Sequence, residues 1–221
     1  MGYLVIDTEG TGLFQHKDPA TGMTMPSDAP GQPRMAEFAA VFTDDDFNIE
    51  MEYQSYIQPV GWDHDMPQAA IDIHGLTMDF LREHGRPVEL ALNVYTSAVA
   101  IESRILLGFN QQHDGRQVRA ELRRAGMDDL FEQTPNICAM RSITTNYKGQ
   151  VKKLNGKGGF PRLIDAAAHF GIAYAEDKRH TALEDARVTA AVAQKLHERG
   201  LLLPAEVHYA RHHPSRAEAA Q

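Results

Sequence analysis

Tyr3-Leu4-Val5-Ile6 is an apolar run of strand character that leads into Asp7-Thr8-Glu9 and a Gly10-Thr11-Gly12 turn. Side chains alternate along a strand, so Asp7 and Glu9, one residue apart, project from the same face. Two like charges held that close at the end of a buried strand are costly unless they are protonated, hydrogen-bonded or neutralised by a cation. The pair has two readings at this point: carboxylates solvated at a strand end, or part of a cation site.

The pattern that follows is that of an α/β chain. Residues 14–34 carry Gly, Pro, Asp and Met without periodicity and read as a long loop. Residues 36–42 and 51–57 have strand character around Asp44-Asp45-Asp46, which gives an antiparallel meander with the first strand. Helical patterns occupy the stretch after Pro67, residues 78–83 and residues 88–100, followed by a short apolar strand at 105–109. Val118 and Leu122 mark an amphipathic helix over 115–125, and 137–143 reads as a final strand. A Lys-, Gly- and Asn-rich loop over 147–159 precedes helices at 163–170 and 182–198. The stretch Asn155-Gly156-Lys157-Gly158-Gly159 lacks the spacing and the Ser or Thr of a phosphate-binding P-loop.

With 221 residues, 43% hydrophobic and 24% charged, the expected organisation is one domain over 1–203 and a tail over 204–221. A single cysteine, Cys138, excludes an intrachain disulfide and a cysteine-rich zinc site. No apolar run approaches membrane-spanning length and no cleavable signal pattern opens the chain, so the expectation is a soluble, cytoplasmic protein. The net charge of −8 argues against a basic nucleic-acid coat, although a carboxylate site that gathers divalent cations would be counted as negative by the same sum. Arg116, Arg119, Arg123, Arg124, Arg141 and Lys148, Lys152, Lys153, Lys157 crowd the middle of the chain and read either as a phosphate-facing segment or as solvated faces.

Two further clusters carry chemistry. In His180-Thr181-Ala182-Leu183-Glu184-Asp185, Thr181 and Glu184 have the spacing of a capping box, which assigns Glu184 a structural task. His180 and Asp185 then fall at the positions a hydrophobic staple would fill, so an imidazole and a carboxylate are held near each other where a helix starts. In Asn110-Gln111-Gln112-His113-Asp114, Asp114 reads as an N-cap of the helix that follows, a role compatible with ligating a metal.

Asp7, Glu9, Asp114 and Asp185 with His180 form a constellation that resembles the DEDDh 3′–5′ exonucleases, the family of proofreading subunits, RNase T and oligoribonuclease. The segment 7–12 matches the first motif, Asn110 with Asp114 the second, and His180 with Asp185 the third; Ile73-His74-Gly75-Leu76-Thr77 looks like the stretch between the first two. The resemblance spans about residues 3–197. Gly10 stands where the proofreading type often has Thr, His113 where an aromatic usually precedes the second-motif Asp, Phe109 where His is common, and the 14–34 loop is longer than in compact members.

The resemblance implies an RNase H-like fold: a mixed five-stranded sheet whose first three strands form an antiparallel meander, with helices on both faces. It implies two Mg²⁺ or Mn²⁺ ions held by Asp7, Glu9, Asp114 and Asp185, with His180 as general base. Thr8, Thr11, Leu13, His74 and Asn110 are the expected contacts to the terminal nucleotide. The implied activity releases nucleoside 5′-monophosphates from nucleic-acid 3′ ends, single-stranded or frayed, with DNA favoured. An RNA 3′-end trimmer and a non-catalytic adaptor are the alternatives, and a homodimer or a polymerase is the further partner the resemblance allows.

Overall fold

A computed structural model describes residues 2–147, 160–175 and 180–207. Five strands form one sheet: β1 (Tyr3–Gly10), β2 (Met35–Thr43), β3 (Ile49–Tyr56), β4 (Ile105–Gly108) and β5 (Asn136–Cys138), in the order β3-β2-β1-β4-β5. The first three make the expected antiparallel meander, and β4 and β5 add in parallel to the other side of β1. The helices are α1 (Gln68–His74), α2 (Met78–His84), α3 (Val88–Thr96), α4 (Gln111–Arg124), α5 (Ala139–Tyr147), α6 (Leu163–Phe170) and α7 (Ala182–Glu198). Among the described residues, no helix is long and apolar enough to cross a membrane.

The inner strands are covered on both faces while the edge strand β3 is largely exposed, and the strand alternation decides which helix each inner residue meets. Val5, Ala39 and Val41 pack under α5, α6 and α7 through Ala166, Ala186 and Val192. Leu4, Ile6, Phe38 and Ala40 pack against α3 and α4 through Leu92, Tyr95, Val118 and Leu122. All nine residues of β2 are buried, which is why its sequence reads as a near-continuous apolar run. By the same alternation Asp7 and Glu9 share the α7 face, whereas Thr8 looks toward α4.

Three expectations need correction. The segment 137–143 is not a strand: β5 ends at Cys138 and α5 begins at once, because Ala139, Met140, Ile143 and Tyr147 recur at helical spacing on one buried face. The helix expected over 115–125 starts earlier, at Gln111. The pattern over 88–100 ends as α3 at Thr96 and continues as one π-helical turn over Ser97–Ile101. Lys148, Lys152, Lys153, Lys157, the Gly-rich stretch and residues 208–221 lie outside the described residues. The first residues of the expected tail follow the sheet edge, where Glu206 and Asn136 exchange backbone hydrogen bonds of 3.1 and 3.0 Å.

The long 14–34 loop is tied down from α4. Glu121, almost fully buried, accepts from Arg34 Nε (2.9 Å), from Arg124 Nη1 (2.7 Å) and from the Met35 N–H (3.2 Å). Arg124 also donates to the carbonyls of Pro33 and Ser27. Glu121→Ala would remove the buried carboxylate that both guanidiniums share, at a cost on the order of 3–5 kcal/mol. Urea denaturation should show that loss, and a midpoint equal to wild type would mean that the latch contributes nothing.

Candidate active site

β1 presents Asp7 and Glu9 to α7, and β2 adds a third carboxylate on that face, since Glu9 is in register with Glu37. Glu37 is 1% exposed. Its Oε1 accepts from Gln54 Nε2 at 2.5 Å and its Oε2 accepts the Ala182 N–H at 3.3 Å. Glu37 thus serves one of the free N–H groups in the first turn of α7, a task the sequence pattern assigns to Thr181 and Glu184. The expected capping box does not form. Thr181 makes no side-chain cap bond, and Glu184 turns outward to Arg187 (3.3 Å), itself held by Glu52 at 2.7 and 2.6 Å.

The first turn of α7 also carries Asp185, which accepts from the Tyr174 hydroxyl at 2.5 Å and from the backbone N–H of His180. His180 adopts φ 61°, a left-handed conformation uncommon for a residue with a Cβ, just before the helix. Glu9, His180 and Asp185 each offer one ligand atom, all within 4.8 Å of one another, and so form a group able to hold a metal ion.

Asp114 arrives from the other side of the sheet. β1 pairs with β4 only from Tyr3 to Val5, so the hydrogen-bonding edge of β1 is open by residue 8. Asp114 Oδ1 fills it, accepting both the Thr8 N–H (3.1 Å) and the Thr8 hydroxyl (2.9 Å). Asp114 is therefore not the N-cap of α4: Asn110 holds that position, and Asp114 lies inside the first turn with its carboxylate turned to the strand.

The electrostatics follow from this crowding. Burial pushes Asp7 well above the usual carboxylate range, and Asp114, Asp185, Glu9 and Glu37 push it further. Glu9 is pushed up to about 9, mainly by burial and then by Asp185, Glu37 and Asp114. Burial also raises Asp114, Asp185 and Glu37, against the lowering effect of their hydrogen bonds. A hard-oxygen donor set whose members are all shifted upward by burial and mutual repulsion fits a hard cation.

The five expected catalytic positions, Asp7, Glu9, Asp114, His180 and Asp185, thus come together. The expected substrate contacts are placed as follows. Thr8 is spent on Asp114. Thr11 Oγ1 accepts the Arg34 N–H and lies 2.9 Å from His64 Nε2, whose Nδ1 is 2.7 Å from Asp63 Oδ1. His74 accepts the Leu76 N–H on Nδ1, so Nε2 carries the proton that faces the Gly10 carbonyl at 3.3 Å; burial lowers its pKa. Leu13, 81% exposed, stands out at the rim, and Asn110 is exposed where α4 begins. Gly10 follows a bulge in β1, and a Cβ there would lie 1.8 Å from Gln117 Nε2, so a larger residue fits only if Gln117 moves.

Glu37, Tyr174, Asp63 and His64 are absent from the expected set. Glu37 leaves a signal, the lone charge in the apolar run of β2; nothing in the local pattern points to the others. The arginine segment needs correction too. Arg119 pairs with Asp129, Arg123 with Asp129 and Asp28, and Arg124 with Glu121, so three of the four arginines of α4 tie the protein to itself.

A mixed sheet with carboxylates converging at one end of its central strand defines an RNase H-like protein. The sequence profile of the exonuclease family, RNase T type, matches residues 4–193, and the chain belongs to that family. The fold is similar to that of Escherichia coli exonuclease I in complex with a dA16 oligonucleotide (TM-score 0.69, 22% identity, 90% of this chain and 42% of that one). It is equally similar to an exonuclease I structure described as suggesting how processivity is achieved (TM-score 0.70, 22% identity, covering 90% and 42%). A moderately thermophilic exonuclease I from Methylocaldum szegediense has a TM-score of 0.67 at 22% identity, over 90% of this chain and 40% of that one. The chain therefore spans well under half the length of these proteins. No curated protein sequence matches it.

Carboxylates raised by folding have a defined pH signature. Their stabilising contribution is full below the unfolded-state pKa and is lost as pH rises through the folded-state value, for Glu9 between about 4.5 and about 9. Metal-free protein should therefore melt at falling temperature across that window. Asp7→Asn should raise its melting temperature at pH 8 by about 2–8 °C, the shift expected of roughly 1–2 kcal/mol. A lower melting temperature in Asp7→Asn would refute the crowding argument.

Proposed function

We propose that this protein is a metal-dependent 3′–5′ exonuclease that releases nucleoside 5′-monophosphates, with a single-stranded DNA 3′ end as its preferred substrate. The observation that supports it is the convergence of Asp7, Glu9, Asp114 and Asp185 beside His180. The DNA preference draws on the solved structures of like fold, which hold dA16 and dT13 oligonucleotides.

Asp7, central to the cluster, would hold two Mg²⁺ or Mn²⁺ ions together with Glu9, Asp114 and Asp185. Bound there, the ions would supply positive charge to the phosphoryl oxygens and make water a nucleophile at neutral pH. Asp185 and its Tyr174 bond hold the start of α7 so that His180 faces the carboxylates. His180 takes a proton from the attacking water as the water oxygen bonds to phosphorus, the bond to the 3′ oxygen of the penultimate nucleotide breaks, and that oxygen takes up a proton. Thr8 keeps Asp114 aimed at the site, and Leu13 stands where a terminal base can rest. An adaptor that only binds nucleic acid has no use for four converging carboxylates and an imidazole.

The test is stepwise shortening of 5′-labelled DNA and RNA oligonucleotides with Mg²⁺, set against EDTA. His180→Ala should lower turnover by on the order of 10²–10⁴-fold while keeping the rise in melting temperature that Mg²⁺ induces. Asp7→Ala should lose both. No metal-dependent shortening of any 3′ end by the wild-type protein would overturn the reading, and equal Mg²⁺ response in all three proteins would overturn the division of roles.

A further inference from the structure

Arg116 differs from the other arginines of α4. It lies in the helix two residues past Asp114 and makes no ion pair with a carboxylate among the described residues. Its Cζ sits 5.6 Å from the centroid of the Phe14 ring, and Nη1 donates to His16 Nδ1 at 2.9 Å. Phe14 also meets His113 edge to face, with centroids 6.3 Å apart and rings at 66°. Two of these side chains follow the Gly10-Thr11-Gly12 turn and two come from the first turns of α4, so the group borders the segments that carry Glu9 and Asp114.

The loop that presents Phe14 and His16 is held in place. The Gln15 N–H donates to Gln32 Oε1 at 3.0 Å, the Met25 N–H donates to the His16 carbonyl at 3.0 Å, and Lys17 bridges Thr24. The surface is therefore built before any ligand arrives.

We infer that Phe14, His16, His113 and Arg116 form a landing surface for the polynucleotide strand that leads away from the scissile bond, with Arg116 on a phosphate and the Phe14 and His113 rings against a base. In a chain of net charge −8 whose neighbouring arginines are spent on acids, a half-buried guanidinium left unpaired lacks a counter-charge of its own. Arg116 uses one donor on His16 and keeps the rest of its planar fork, the geometry that matches a phosphate. Aromatic rings beside such a cation are the stacking platform on which single strands rest without sequence preference. The inference deepens the exonuclease reading, on which the direction of the strand rests.

The experiment is equilibrium binding of a fluorescein-labelled oligothymidylate with Mg²⁺ over a range of KCl concentrations, in the His180→Ala background so that the strand survives. Arg116→Ala should reduce the slope of log K against log salt by about 0.7, the share of one phosphate contact on a single strand, and Arg116→Lys should keep the slope. Phe14→Ala should weaken binding about fivefold or more at unchanged slope, as loss of a base stack does. Arg82→Ala, on α2 and already paired with Asp79, should bind like the parent. An unchanged slope in Arg116→Ala, an equal loss in Arg82→Ala, or no strand binding by the parent would overturn the inference. A wild-type protein that binds with the expected slope yet shortens nothing would sink the exonuclease reading and leave this surface standing.

Discussion

Carboxylates repel one another, yet β1, β2, α4 and α7 bring Asp7, Glu9, Glu37, Asp114 and Asp185 together. Each of the outer acids has a donor fixed by the fold: Asp114 has the amide and hydroxyl of Thr8, Asp185 has Tyr174 and the His180 N–H, and Glu37 has Gln54 and the amide of Ala182. Asp7 and Glu9 stand between them on the strand. The outer acids are thus partnered by donors of the fold, while the inner pair on β1 is raised by burial and by its neighbours.

The topology makes that arrangement possible. β4 pairs with β1 for three residues only and then turns into α4. A longer β4 would cover the N–H of Thr8 and give Asp114 nothing to hold. On the opposite face, small residues such as Ala182, Ala186 and Ala190 let α7 lie close to β1 and β2, near enough for Glu37 to reach the amide of Ala182. The acids converge because backbone donors and close packing draw them in.

The same economy governs the basic residues. The middle of the chain is rich in arginine, yet Glu121, Asp129 and Asp28 absorb Arg34, Arg119, Arg123 and Arg124 into internal ties. The ties of Glu121 to Arg34, of Arg123 to Asp28 and of Arg124 to the carbonyls of Pro33 and Ser27 fasten the long 14–34 loop to α4, whereas those to Asp129 hold the turn that follows α4. Of the four arginines of α4, Arg116 is the one that makes no ion pair with a carboxylate among the described residues, so a sum over the whole chain says little about where positive charge lies.

Periodicity was enough to read the meander, the amphipathic face of α4 and the span of α7, and the family signature was enough to single out Asp7, Glu9, Asp114, His180 and Asp185, which the fold brings near one another, because each is a short-range pattern or a signature read along the chain. The sequence could not show that Asp114 bonds to Thr8 rather than capping its own helix, that Glu37 replaces Thr181 and Glu184 at the start of α7, or that Tyr174 meets Asp185. It also misjudged 137–143, where an apolar run too short to separate strand from helix became mostly helix once β4 offered only three residues of partner. Those outcomes depend on which donor from a distant segment lies nearest in space. Local pattern fixes which way a side chain points from its own element, whereas its partner is decided only when the sheet and helices pack.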